Sequence, residues 1–200
     1  MKKSVVDLSD LQEIAPFFKT KFGIFLGKII IKWLGIKKVN DIHAKHCHLR
    51  GADFTTALLQ DPLMDIKYNV HNAELLDTLP EGAFITISNH PFGHIDGIML
   101  IDIFAARRSD FAVMVNGVLT KIGAMEDNFI SVQPDSKNRG ANVANVNGVR
   151  TSLERLKSGH PMGFFPAGAI SFYNKEKKRV MDLDWTLSVI RLIQIGRAHV

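Results

Sequence analysis

A histidine and an aspartate six positions apart, His90 and Asp96, straddle the turn Asn89-His90-Pro91-Phe92-Gly93-His94-Ile95-Asp96. Across so tight a turn a carboxylate can hold the proton on one imidazole nitrogen, which leaves the other free as a general base. The carboxylate also stabilises the imidazolium that forms when the ring takes a proton. Such a dyad suits deprotonation of a hydroxyl or of water. The plainer role for the same residues is an N-terminal helix cap and a turn histidine. His94 is a second imidazole, but only Ile95 separates it from Asp96, which disfavours a turn-bridged contact.

The elements that must position this turn are legible as short apolar runs alternating with helical stretches, the pattern of an α/β protein with a mostly parallel central sheet flanked by helices. The pattern predicts strands at Lys67–Val70, Ala83–Ser88, Phe111–Val115, Asn128–Val132 and Met162–Phe165. It predicts helices at Asp53–Leu59, Asp96–Ala106, Asn116–Met125, Val143–Lys157 and Asp184–Ile193. The dyad then follows the carboxyl end of a strand, where ligand chemistry is usually found in such sheets. A second strand, ending at Phe164-Phe165, breaks at Pro166-Ala167-Gly168 and opens a small-residue loop with backbone amides to offer.

The 200 residues carry 25 basic and 20 acidic side chains, a net charge of +5. The excess sits in one place. Six lysines (Lys19, Lys21, Lys28, Lys32, Lys37, Lys38) and no acid lie between Ile14 and Lys38, along with Phe17, Phe18, Phe22, Phe25 and Trp33. As a helix, Lys21, Lys28 and Lys32 share one narrow stripe and most of the remaining circumference is apolar. Such a helix must bury itself in protein or lie in an anionic lipid interface. Gly23, Gly27 and Gly35 weaken a single long helix, which predicts two shorter ones joined near Gly27 or Gly35. Nucleic acid is a poor match, because stacking bases would need aromatics within a wider basic groove. Cys47 is the single cysteine, which excludes an intramolecular disulfide framework and any multi-cysteine metal centre. His43, His46, Cys47 and His48 match no usual zinc spacing, so no metal is expected and these residues read as a loop. No uncharged apolar run reaches the length of a membrane span, and the N-terminus lacks the layout of a secretory signal. Neither a nucleophile elbow nor a phosphate-binding P-loop is present.

Taken together, Asn89-His90 with Asp96 and Phe165-Pro166-Ala167-Gly168 resemble the His-to-Asp and Phe-Pro-Glu-Gly blocks of the glycerolipid acyltransferase superfamily. That superfamily contains the bacterial 1-acylglycerol-3-phosphate acyltransferases, and the resemblance is nearest to its hemolysin-like branch. It implies acyl transfer from an acyl carrier protein or coenzyme A thioester, with no other cofactor, to the hydroxyl of a lysolipid. It implies a peripheral enzyme on the cytoplasmic face of the inner membrane. Its residues would be His90 as base and Asp96 as its orienting partner, with Asn89, Gly93, Phe165, Pro166, Gly168 and Ser171 around the substrate. On this reading residues 1–40 form membrane-associating helices and 41–194 an acyltransferase domain incomplete at its C-terminus. The last six residues, Ile195 to Val200, look like translated sequencing adapter.

The chain departs from the family pattern in ways that bear on the acceptor. Five residues rather than the common four separate His90 from Asp96. The third block carries Ala167, Ala169 and Ile170 where related enzymes have Glu, Thr and Arg, and the second block's Arg is also missing beside Gln133 and Pro134. Those arginines are associated with an acceptor phosphate, which a guanidinium fork fits well. Lys137 and Arg139, and less strongly Lys175, Lys177 and Lys178, are candidate replacements. A phosphate-free lyso-aminolipid is therefore as reasonable an acceptor as lysophosphatidate. Two other functions use the same residues: a thioesterase in which water replaces the acceptor, and a non-catalytic lipid-binding module.

Overall fold

The computed structural model describes residues 4–33, 35–116, 122–132 and 143–185, with positions 119, 187, 190, 191, 193 and 194. Four parallel strands form the central sheet in the order β1 (Ile85–Ile87), β4 (Met162–Phe164), β2 (Ala112–Asn116), β3 (Phe129–Val132). Helix α5 (His94–Ala105) carries the chain from β1 to β2, and α6 (Val143–Lys157) carries it from β3 into the central position of β4. The fold is the α/β arrangement expected.

Alternation along the strands divides the core between two faces. On one, Val113 and Val115 pack with Phe54 of α4 (Gly51–Gln60), with Ile98 and Ile101 of α5, and with Phe111 and Met125. On the other, Ala112, Met162 and Phe164 pack with Leu156 of α6. Both faces are covered, which is why these strands read as continuous apolar runs. At the centre Gly163 is a necessity of packing, since a Cβ there would lie 2.9 Å from the Phe111 ring.

Three expectations fail. Lys67–Val70 is no strand: it joins no ladder among the described residues, while Tyr68, and Ile66 just before the segment, pack on the core and the Tyr68 hydroxyl donates to Asp102. Asn116–Met125 is no helix as described, because Asn116 ends β2 and Gly123–Met125 lie in a 3-10 turn, Gly123–Asn128. The helix expected from Asp184 does not begin there, and the first helical position described is Leu187. A hairpin of β5 (Phe172–Asn174) and β6 (Arg179–Met181) forms a second, two-stranded sheet that no sequence pattern announced.

The basic N-terminal segment is helical and breaks at Gly35. Helix α1 (Leu8–Ile14) is closed by reciprocal bonds between Asp7 and Asp10, then a 3-10 turn, Pro16–Lys19, leads into α2 (Lys21–Trp33). Gly35 takes φ 69°, and α3 (Ile36–His46) follows it. Gly27 interrupts nothing; with Gly23 it forms the buried face of α2. A Cβ on Gly23 would sit 2.0 Å from the Phe17 carbonyl oxygen, and one on Gly27 would sit 2.7 Å from Leu8 Cδ1. The helix thus packs by its glycines and leaves Phe22 (67%), Phe25 (61%), Ile29 (46%) and Trp33 (85%) exposed as one stripe. Among the described residues no helix is long and apolar enough to cross a membrane.

Candidate active site

Parallel pairing of β1 with β4 aligns Ile87 with Phe164, so the two chemically suggestive loops leave the sheet side by side. The Ser88 N–H extends the ladder by one bond, 3.1 Å to the Phe164 carbonyl, before the chain turns through Asn89 and His90. Gly93 reverses the chain at φ 66° and ψ −126°, a conformation essentially confined to glycine. A Cβ at Gly93 would also approach Ile170 Cδ1 to 2.9 Å. The turn delivers Asp96 to the third position of α5.

One carboxylate oxygen of Asp96 does two jobs. Oδ2 accepts the Phe92 N–H at 2.9 Å, which stabilises the helix start, and lies 3.0 Å from His90 Nδ1. In the neutral tautomer whose Nδ1–H donates to Asp96, the free lone pair lies on Nε2, which makes no hydrogen bond among the described residues. The Phe165 ring stacks on the imidazole at 4.2 Å between centroids and 27° between planes. The Ser171 N–H binds the His90 carbonyl at 2.9 Å. His90 is thereby held by its ring edge, its ring face and its backbone, while its side chain keeps 19% of its surface accessible.

The other expected residues are placed unevenly. Phe165 and Ser171 touch His90; Gly93 shapes its turn. Asn89 is exposed and makes no hydrogen bond among the described residues, and Pro166 is buried. Gly168 is exposed at φ 65°, but its N–H closes a turn onto the Phe165 carbonyl at 3.0 Å and is already used. The neighbouring N–H groups of Ala169 and Ile170 make no hydrogen bond among the described residues. Lys137 and Arg139 lie outside the described residues. His94 is exposed at the first position of α5, and Asp96 bonds His90 instead. Sequence reasoning missed Asp182, which accepts the Ser171 hydroxyl, and the seating of Ile170 over Gly93. Both are tertiary contacts with no local periodicity to betray them.

Among the described residues two further histidine–aspartate pairs occur, and in both the aspartate also binds a permanent cation. Asp61, buried at the end of α4, accepts Lys45 Nζ and His46 Nε2, each at 2.8 Å, and the Leu63 N–H at 3.0 Å. The hydrogen bonds from Lys45, Leu63 and His46 hold its carboxyl well below the usual range. Asp110 takes a two-pronged bond from Arg108 at 3.0 Å and lies 2.8 Å from His160 Nδ1. Burial works to raise its pKa, and the bonds from Arg108 and His160 outweigh it, leaving the carboxyl below its ordinary value. His43 and His46 belong to α3 rather than a loop, and Cys47 is buried at its end. No group of three histidine, cysteine or acidic side chains among the described residues is arranged to hold a metal ion.

A family model described as acyltransferase matches residues 11–198. The chain belongs to that family. No curated protein and no solved structure matches it. In this chain His90 Nδ1 lies 3.0 Å from Asp96, on the turn that leaves β1 beside the loop that follows β4.

Proposed function

We propose that the protein transfers a fatty acyl group from an acyl carrier protein or coenzyme A thioester to the hydroxyl of a lysolipid. The observation that carries this reading is the His90–Asp96 pair, anchored through Nδ1 with Nε2 unbonded. Nε2 takes the acceptor's hydroxyl proton as the oxygen attacks the thioester carbonyl. The Ala169 and Ile170 amides stabilise the oxyanion, and Asp96 stabilises the imidazolium. Collapse of the tetrahedral intermediate expels the thiolate, which recovers the proton from His90. No covalent acyl-enzyme and no metal is required.

The exposed aromatic stripe of α2, flanked by exposed Lys21, Lys28 and Lys32, supports docking on an anionic membrane surface, as does the need for a lysolipid to reach His90. This gives a peripheral enzyme, working on the cytoplasmic face of the inner membrane in lipid biosynthesis. The seating of apolar Ile170 over Gly93, beside the dyad, favours an acceptor without a phosphate, such as a lyso-aminolipid, over lysophosphatidate.

Purified protein and its His90→Ala variant, given acyl carrier protein thioester with either acceptor, test the reading. Transfer lost in the variant supports it; acyl release in the absence of acceptor points to a thioesterase instead. An Ile170→Arg variant tests the acceptor: its rate on lysophosphatidate should rise relative to a phosphate-free acceptor. An unchanged ratio would remove the argument from Ile170.

A further inference from the structure

Among the described residues the hairpin β5–β6 is a two-stranded ribbon apart from the central sheet, a kind of structure only marginally stable in water unless something packs on it. Little of it is covered: Phe172, Tyr173 (60%) and Val180 (59%) are all exposed. Its tip carries Lys175, Lys177, Lys178 and Arg179 against one acid, Glu176, and all five side chains are exposed without an ion pair among the described residues. The Asn174 side chain accepts the Lys177 N–H at 2.8 Å to shape the turn, and Lys178 stands at φ 50°, in the left-handed region where glycine or asparagine is easier to place. The ribbon is also rooted in the catalytic loop: Ser171, directly before β5, donates its N–H to the His90 carbonyl and its hydroxyl to Asp182, directly after β6.

Exposed aromatics beneath a basic tip are the composition of an interfacial membrane contact, with cations among anionic headgroups and rings at the acyl boundary. We infer that the β5–β6 hairpin is a lipid-binding element in its own right, separate from the N-terminal helices, and that it seats the His90 loop against anionic lipid. An acidic carrier protein would satisfy the four cations but would not call for exposed Phe172, Tyr173 and Val180.

Co-sedimentation with phosphatidylglycerol-containing vesicles, without donor or acceptor, reads this contact independently of whether acyl transfer occurs. The background is Phe25→Ser/Trp33→Ser, which weakens the α2 stripe. Adding Lys175→Glu, Lys177→Glu and Lys178→Glu should cut vesicle affinity by at least about tenfold, with circular dichroism unchanged. Tyr173→Ser should cut it about threefold on neutral and anionic vesicles alike. Unchanged affinity in both variants would overturn the inference. So would a charge variant that binds vesicles normally but shows a raised KM for acyl carrier protein thioester, and that outcome would assign the surface to the carrier.

Discussion

The same two side chains meet at opposite ends of the sheet, and only one pair is chemically open. At the carboxyl end, Asp96 supports His90 with a backbone N–H as its other partner, and His90 Nε2 is unspent. At the amino end, Asp110 is gripped by both prongs of Arg108, and the same guanidinium binds the carbonyls of Pro80, Gly82 and Gly159. There the carboxylate's charge is neutralised and three segments, around Pro80–Gly82, Arg108–Asp110 and Gly159–His160, are tied together, leaving His160 as an accessory at a structural knot. A histidine–aspartate contact is therefore not itself a signature of catalysis. What distinguishes the two is whether a permanent cation already occupies the carboxylate.

The comparison can be broken most sharply at His90. His90→Ala should lower acyl transfer by about a thousandfold with little change in melting temperature. Asp96→Asn keeps an acceptor for the Phe92 N–H but cannot stabilise an imidazolium, and should lower the rate by about a hundredfold or more; the helix start loses about 1 kcal/mol, read by denaturant unfolding. Arg108→Ala should do the reverse: about 3 kcal/mol of stability lost, because a part-buried carboxylate and three carbonyls lose their donor, with the rate per folded molecule nearly intact. His160→Ala should cost only about 1 kcal/mol and leave transfer unaffected, a result that a catalytic His160 would contradict. The gentlest test is acid. Asp110 sits below its ordinary pKa in the folded state, so the stability it contributes is complete above about pH 4 and is lost as pH falls through the native value. Melting temperatures measured downward from pH 5 should therefore fall less steeply in Asp110→Asn than in the parent protein.

The open pair was legible in the sequence and the closed one was not, for a physical reason. His90 and Asp96 lie within one turn, marked by Pro91 and Gly93 and set between an apolar strand and an apolar helix. Asp110 and His160 are 50 residues apart and meet only because β2 and β4 are neighbours. Length explains the rest. Phe172–Asn174 and Arg179–Met181 are too short to show a period, so nothing in the sequence marks the hairpin beyond its lysines. Lys67–Val70 showed a period of two without being a strand, since Ile66 and Tyr68 turn inward to a helix surface rather than a neighbouring strand. Gly27 looked like a break in a helix, whereas the approach of Leu8 requires a glycine there.

That reversed packing of α2 has a consequence for kinetics. Because the helix is clamped by its glycine face, its aromatic stripe is already ordered before any apolar surface receives it. Association then incurs no cost for winding the helix, unlike segments that fold as they bind. The encounter should proceed in a single fast phase, without a gain in far-ultraviolet helical signal. The same readiness makes the free protein adhesive: with nothing on the stripe, copies should pair through it as concentration rises.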